Sequence, residues 1–107
     1  MLKQADGPWR TVVRYSTKPE QTQENERLIA VVFEELRAKS PQGVRYLVLK
    51  LADGAFLHFS SVEDGARPVT ALDAFRSFRK DIEGRCLEPP QAADASLIGN
   101  YRMLAQQ

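Results

Sequence analysis

His58 is the residue whose chemistry is easiest to name, because it is the single histidine of the chain. An imidazole has an ordinary pKa near neutrality, which suits a general acid or base. His58 alternates with Phe56 and Ser60 in an apolar segment, so we expect it on a buried face of a strand. Two interpretations stay open: a catalytic proton shuttle or hydrogen-bond donor in a pocket, or a hydrogen-bonded histidine of a core or interface.

Two arginines, Arg10 and Arg14, alternate along the first strand-like segment with Val12 between them. If their face lines a cavity, the guanidinium groups can bind a carboxylate or an enolate, and Arg14 is a candidate substrate-binding residue. The alternative is that these arginines form ion pairs between subunits or reach solvent.

Three tyrosines, Tyr15, Tyr46 and Tyr101, offer hydroxyl groups for the mouth of a pocket. Aromatic side chains with a polar tip are equally common at dimer interfaces, so that alternative stays open. Asn100 lies beside Tyr101 and adds an amide to the candidate substrate-binding residues.

The remaining reactive side chains favour structural roles. Cys86 falls near the end of a predicted helix rather than at its start, which predicts a buried structural thiol. A lone cysteine cannot form an internal disulfide, and without a Cys/His cluster we predict no metal site.

The predicted helix that ends near Cys86 is basic. This fits either a phosphate or acidic partner, or a solvated face on which acidic residues are interleaved with basic ones: Arg76, Arg79, Lys80, Arg85, Asp81 and Glu83.

Composition places the chain among single globular domains. It has 107 residues, of which 43% are hydrophobic and 27% charged. The net charge of +1 argues against a nucleic-acid partner, and the sequence has no apolar run long enough to cross a membrane. We expect a flexible leader at residues 1–8, one domain at 9–107, and a reduced, cytoplasmic protein without a cofactor.

The pattern of apolar residues predicts the elements that must position these side chains. Pro19 suits the first turn of a helix, and Pro41 ends it. The predicted order is strand 9–16, helix from about 17 to 39, strand 43–51, strand 55–63, helix from about 71 to 85, and a last strand within 91–104 with Gly99 as a bulge.

The turn at Asp53-Gly54 determines which side chains of the two middle strands share a face. A two-residue turn places Leu47 and Leu49 with His58, whereas a one-residue bulge places Tyr46 and Val48 with it. Both faces of these strands carry large apolar residues in either case. A sheet that is apolar on both sides needs a second cover, and with only two helices we expect that cover to be another copy of the chain.

The β-α-β-β-α-β order predicts an α+β, ferredoxin-like fold: a four-stranded antiparallel sheet with two helices on one face. RNA-recognition domains share this order and stack bases on aromatic residues of the third strand. This chain has Asp53 where they need a basic residue and Ala55 where they need an aromatic one, so we exclude that function.

Several segments carry a resemblance to the dimeric α/β-barrel superfamily, which includes antibiotic-biosynthesis monooxygenases: VVRYSTKPE, NERLIAVVFEELR, GVRYLVLKLADG, SSVEDG and TALDAFRSF. The resemblance covers residues 9–104 and is one of layout rather than of a diagnostic motif. It implies that two subunits pair sheet to sheet as a barrel, each with a small pocket between sheet and helices. Cofactor-free members use Asn and Trp side chains and haem-degrading members a helical His. None of these matches a position here, since Trp9 begins the first strand and His58 lies on a strand.

Two functional hypotheses follow. In the first, the chain is a cofactor-independent, monooxygenase-like enzyme on a hydrophobic substrate, with His58 as acid or base and Arg14 and Tyr15 orienting a polar group. In the second, it is a non-catalytic ligand-binding or structural homodimer. The first requires His58 to face a reachable cavity with another polar group within hydrogen-bond distance.

Overall fold

Alternating β-branched and aromatic residues form the first strand, β1 (Trp9–Ser16), in the computed structural model, which describes residues 9–104. The other elements follow in chain order: α1 (Thr22–Lys39), β2 (Val44–Lys50), β3 (Ala55–Val62), α2 (Asp73–Arg79), α3 (Ile82–Arg85) and β4 (Gln91–Asp94). Short 3-10 turns precede α1 and α2. The expected leader, residues 1–8, lies outside the described residues.

The four strands form one antiparallel sheet in the order β2-β3-β1-β4. This is the strand order of the ferredoxin-like fold, so the predicted fold class is confirmed. β1 and β3 pair along their full length, from Trp9 opposite Val62 to Ser16 opposite Ala55. Their inward residues Tyr15 and Phe56 join Val32 of α1 and Phe78 of α2 in one hydrophobic core.

The hairpin between β2 and β3 contains the bulge rather than the two-residue turn. Its loop has three residues, Ala52 to Gly54, and Gly54 closes it at φ 91°. A glycine at positive φ is the usual last residue of such a loop. Of the two alternatives, the structure therefore has the one in which Tyr46 and Val48, rather than Leu47 and Leu49, share a face with His58.

The observed register places His58 opposite Val48. Tyr46, two residues before Val48 in β2, lies on the same face, which packs against the helices. The other face, called the outer face below, carries five large apolar side chains: Val12, Leu47, Leu49, Leu57 and Phe59.

The single second helix predicted for residues 71–85 is wrong, because the structure divides it into α2 and α3. Asp81 lies between them at φ 64°, a left-handed conformation that Asp adopts more easily than most residues. The break leaves backbone carbonyls at the end of α2 that need donors, and Arg85 supplies them.

The last strand is shorter than expected, since β4 ends at Asp94 and residues 95–104 have no regular structure. Gly99 is therefore not a bulge within a strand. Four residues of this segment are apolar or aromatic and exposed: Leu97, Ile98, Tyr101 and Met103. Within residues 9–104, none of the helices has both the length and the apolar character needed to cross a bilayer.

Candidate functional site

A cavity of about 540 Å³ lies between the inward face of the sheet and the segment that carries α2 and α3. Its walls are largely apolar: Trp9, Val13, Val69, Phe75, Phe78 and Ile82. The charged residues that line it, Arg79 and Glu83, are both exposed. Size and lining are typical of small-molecule sites, which span roughly 300–1,000 Å³ and place a few polar groups in apolar walls.

His58 lines this cavity and is 5% exposed. Its Nε2 lies 2.7 Å from the Tyr15 hydroxyl, and its Nδ1 lies 2.5 Å from the Tyr46 hydroxyl. Both ring nitrogens are therefore hydrogen-bonded to tyrosines. Burial lowers the pKa of His58 to about 4, so the imidazole is neutral at pH 7.

The hydrogen bonds continue from Tyr15 into the protein interior. Asn25 donates its Nδ2 hydrogen to the Tyr15 hydroxyl at 2.9 Å, and Arg85 donates its Nε hydrogen to Asn25 Oδ1 at 3.0 Å. Asn25, Arg85, Tyr15 and His58 are all buried. We call the series Arg85–Asn25–Tyr15–His58–Tyr46 the five-residue network.

Three strands and two helices contribute to this network. Tyr15, His58 and Tyr46 come from the inward faces of β1, β3 and β2. Asn25 lies in the first turn of α1, on the side that faces the core, and Arg85 ends α3. The network therefore joins the sheet to both helical segments.

Arg85 is the anchor of the network. Its Nη2 donates to the Phe78 carbonyl at 2.6 Å, its Nη1 donates to the Lys80 carbonyl at 3.1 Å, and its guanidinium lies 5.1 Å from the centre of the Phe78 ring. Each nitrogen of the guanidinium thus has a hydrogen-bond acceptor, as a buried charge requires.

Both tyrosine hydroxyls stay protonated. Burial raises the pKa of Tyr15 and of Tyr46 well above the ordinary value, and a hydrogen bond from Asn25 opposes this only in part for Tyr15. Tyr46 also stacks on Phe33 at a ring distance of 5.2 Å, which fixes its orientation.

Three predicted site residues come together, and the other three lie elsewhere. His58, Tyr15 and Tyr46 line the cavity. Arg14 lies on the outer face, with its guanidinium 3.6 Å from the Asp53 carboxylate. Asn100 closes a turn by accepting from the backbone nitrogens of residues 103 and 104, and Tyr101 is exposed.

Sequence reasoning missed Asn25 and misjudged Arg85. Asn25 precedes the apolar positions Leu28, Ile29 and Val32 at helical spacing, so a polar residue on an apolar stripe was the available signal. Arg85 was grouped with the solvated basic residues of its helix, yet it is buried. Its burial depends on the break at Asp81, which the sequence pattern did not indicate.

Cys86 is buried, as a structural thiol should be, and burial raises its pKa. Among residues 9–104 there is no group of three or more His, Cys, Asp or Glu side chains arranged to hold a metal ion.

Comparison with known proteins gives a match in structure alone. No protein-family model matches the sequence, and no curated protein matches it significantly.

Solved structures match nearly the whole chain. A protein from Nitrosomonas europaea that carries the provisional name antibiotic biosynthesis monooxygenase superposes with a TM-score of 0.71 at 15% identity, over 91% of this chain and 96% of its own. A Bacteroides thetaiotaomicron protein with the same provisional name gives 0.72 at 12% identity, over 94% and 97%. Rv0793 from Mycobacterium tuberculosis gives 0.69 at 16% identity, over 87% and 97%. At these identities the likeness shows a shared fold and no activity.

Proposed function

We propose that this protein binds a small hydrophobic molecule in the cavity beside His58 and acts on it as a cofactor-independent, monooxygenase-like enzyme. The observation that carries the proposal is an apolar cavity with His58 and two tyrosine hydroxyls at one place in its lining. Apolar walls with a few convergent polar groups are the ordinary form of a small-molecule site. The provisional names of the structural neighbours point to the same class of reaction.

In this proposal His58 exchanges protons through the tyrosines rather than directly. Both of its ring nitrogens are hydrogen-bonded to hydroxyl groups, so a substrate meets Tyr46 and the imidazole edge. Arg14 does not take part within one subunit, because it lies on the outer face.

A second candidate function is a ligand-binding or structural homodimer without catalysis. The pKa of about 4 favours it, because a buried imidazole with this value is a weak base at neutral pH. The cavity supports the ligand-binding form of this candidate as well as it supports the enzyme.

We also propose that the protein is a homodimer in the cytoplasm, joined through the outer faces of two sheets. Leu47 and Leu49 are each 45% exposed there, beside Val12, Leu57 and Phe59. Contiguous apolar surface of this kind marks an interaction site. A second copy offers the same surface in return.

Native mass spectrometry of freshly purified protein tests both parts. We expect a dimer of twice 12.1 kDa that carries a small bound organic molecule. A monomer would contradict the homodimer. A protein that stays empty when incubated with apolar aromatic compounds would contradict the binding function.

Turnover of the recovered molecule in the presence of dioxygen then separates the two candidate functions. His58→Ala should abolish turnover while the protein stays folded, and Glu34→Ala, on the exposed side of α1, is the matched control. Loss of stability with no turnover in any form of the protein would favour the non-catalytic candidate.

A further inference from the structure

We infer that the five-residue network donates its hydrogen bonds in one direction, from Arg85 to Tyr46, and so presents the Tyr46 hydroxyl hydrogen to an uncharged oxygen acceptor in the cavity. The direction follows from the chemistry of the five side chains and from the hydrogen bonds between them. The ligand part of the inference also rests on the proposed binding function.

The direction starts at Arg85, because a guanidinium has only donors. Its Nε hydrogen points to the Asn25 side chain, so the atom that receives it must be the amide oxygen. The amide nitrogen of Asn25 then faces Tyr15, and an amide nitrogen can only donate. The Tyr15 oxygen is therefore an acceptor, and its own hydrogen is free to point elsewhere.

Among residues 9–104, the Tyr15 hydrogen has one acceptor available, the Nε2 atom of His58 at 2.7 Å. Nε2 must then be without a hydrogen. Since a neutral imidazole carries one N–H, that hydrogen is on Nδ1 and points to the Tyr46 oxygen at 2.5 Å. Tyr46 accepts this bond, which leaves its own hydrogen for another partner.

The opposite arrangement leaves a buried hydrogen without a partner. If His58 donated from Nε2, the Tyr15 oxygen would accept from both His58 and Asn25, and the Tyr15 hydrogen would have no acceptor among the described residues. Tyr15 is buried, so a lost hydrogen bond there is costly. Tyr46 is only half-buried and lines the cavity, where water or a ligand can accept its hydrogen.

The surroundings of Tyr46 indicate the class of acceptor. The aromatic side chains Phe33 and Phe75 contact its ring. The charged lining residues Arg79 and Glu83 are exposed, and His58 is neutral at pH 7. Since none of the described residues that line the cavity is a buried cation able to balance an anion, the site favours an uncharged carbonyl group on an apolar skeleton.

NMR spectroscopy of the ¹⁵N-labelled protein tests the direction without any ligand. Because the chain has a single histidine, its imidazole gives one set of two-bond ¹H–¹⁵N correlations. At pH 7 we expect the hydrogen on Nδ1 and none on Nε2. A hydrogen on Nε2, or an averaged mixture of the two tautomers, would overturn the inference.

Asn25→Asp is the variant that reverses the network. A carboxylate has no hydrogen to give, so it accepts from Arg85 and from Tyr15 alike. Tyr15 then accepts from His58, the imidazole hydrogen moves to Nε2, and Tyr46 donates to Nδ1 instead of to a ligand. An Asn25→Asp protein that folds and keeps the hydrogen on Nδ1 would contradict the argument. If that variant does not fold, the wild-type spectrum still decides the direction.

A matched pair of probes, 1-tetralone and tetralin, tests the ligand. The two compounds have nearly the same shape, and only the first has a carbonyl. We expect the wild type to bind 1-tetralone roughly ten-fold more tightly than tetralin, the worth of one well-made hydrogen bond. Tyr46→Phe and Asn25→Asp should both lose this preference while their affinity for tetralin stays unchanged.

The outcomes separate this inference from the proposed function. Equal binding of the two probes by the wild type would overturn the assignment of Tyr46 as donor and leave the binding function standing. Binding of neither probe would overturn the proposed binding function and, with it, the ligand part of the inference. The tautomer would still be decided by its own spectrum.

Discussion

The two faces of the sheet are built from the same strands and differ in how their polar groups are treated. The inward face carries Tyr15, His58 and Tyr46 in a network that continues into the helices. The outer face carries apolar side chains such as Leu47 and Leu49 in partly exposed positions. Polar groups of the inward face are therefore buried and hydrogen-bonded, whereas apolar groups of the outer face are partly exposed to solvent.

Because successive side chains of a strand point to opposite faces of the sheet, one strand contributes both to the candidate site and to the exposed apolar surface. A single bulge residue in the β2–β3 loop decides which side chains join His58. With the other register, Leu47 and Leu49 would meet the helices, and Tyr46 would lie on the outer face. The site and the proposed dimer surface therefore depend on the same turn.

The largest effect we expect comes from Arg85→Met, which breaks the inward network at its anchor. The change leaves Asn25 Oδ1 and the carbonyls of Phe78 and Lys80 without the donor they share. We expect a loss of about 4 kcal/mol in the free energy of unfolding, measured with urea at fixed protein concentration. The control Arg67→Met, in an exposed loop, should change it by less than about 0.5 kcal/mol. Equal effects of the two variants would contradict the anchoring role.

The next effect is a pH dependence that belongs to the inward face. The folded pKa of His58 is about 4 and the ordinary value is 6.5, so the unfolded chain binds the proton more tightly. This contribution to stability is present in full above pH 6.5 and is lost as the pH falls towards 4. The loss amounts to about 3 kcal/mol.

The measurement for this prediction is the difference in unfolding free energy between the wild type and His58→Gln across that range. The carboxylates of Glu24 and Glu35, whose pKa values are lowered by Arg27 and Lys39, are present in both proteins and cancel in the difference. A difference that does not change with pH would show that His58 titrates normally.

Leu47→Glu tests the outer face and should leave the inward face unchanged. In the proposed dimer, a charge at position 47 must be desolvated within an apolar interface, so self-association should weaken by roughly 100-fold, or about 2.7 kcal/mol. Sedimentation of the variant against Glu34→Lys on α1 measures this change. The histidine correlations of His58 should be the same in both variants, and a shift confined to Leu47→Glu would mean that the faces are coupled.

Much of the fold could be predicted from the sequence because its signals are local. The β-branched segment at Trp9–Ser16 gives β1 with its observed bounds, and Pro19 and Pro41 bracket the first helix. The break at Asp81 could not be predicted, since the residues around it have no strong helix breaker. It is stabilised by Arg85, whose contacts exist only in the folded protein.

The site was predictable only where its residues alternate along strands. His58, Tyr15 and Tyr46 are strand residues with polar tips, and all three line the cavity. Asn25 and Arg85 join them because two helical segments pack over the sheet, which local sequence does not encode. Arg14 shares a strand with Tyr15, but an odd separation places it on the other face.

The smallest effect concerns the turn that sets the register, and it has a matched control of opposite sign. Gly54 and Gly84 both have open space where a Cβ would be added, so replacing either by Ala causes no clash. Gly54 lies at φ 91°, where Ala is strained, and Gly54→Ala should destabilise the protein by about 1 kcal/mol. Gly84 lies in the helix α3, where Ala is preferred, and Gly84→Ala should stabilise it by about 0.5 kcal/mol. Thermal unfolding at equal concentration compares them. If both changes moved the midpoint in the same direction, the positive φ at Gly54 would not be what holds the bulge, and the assignment of side chains to the two faces would need another cause.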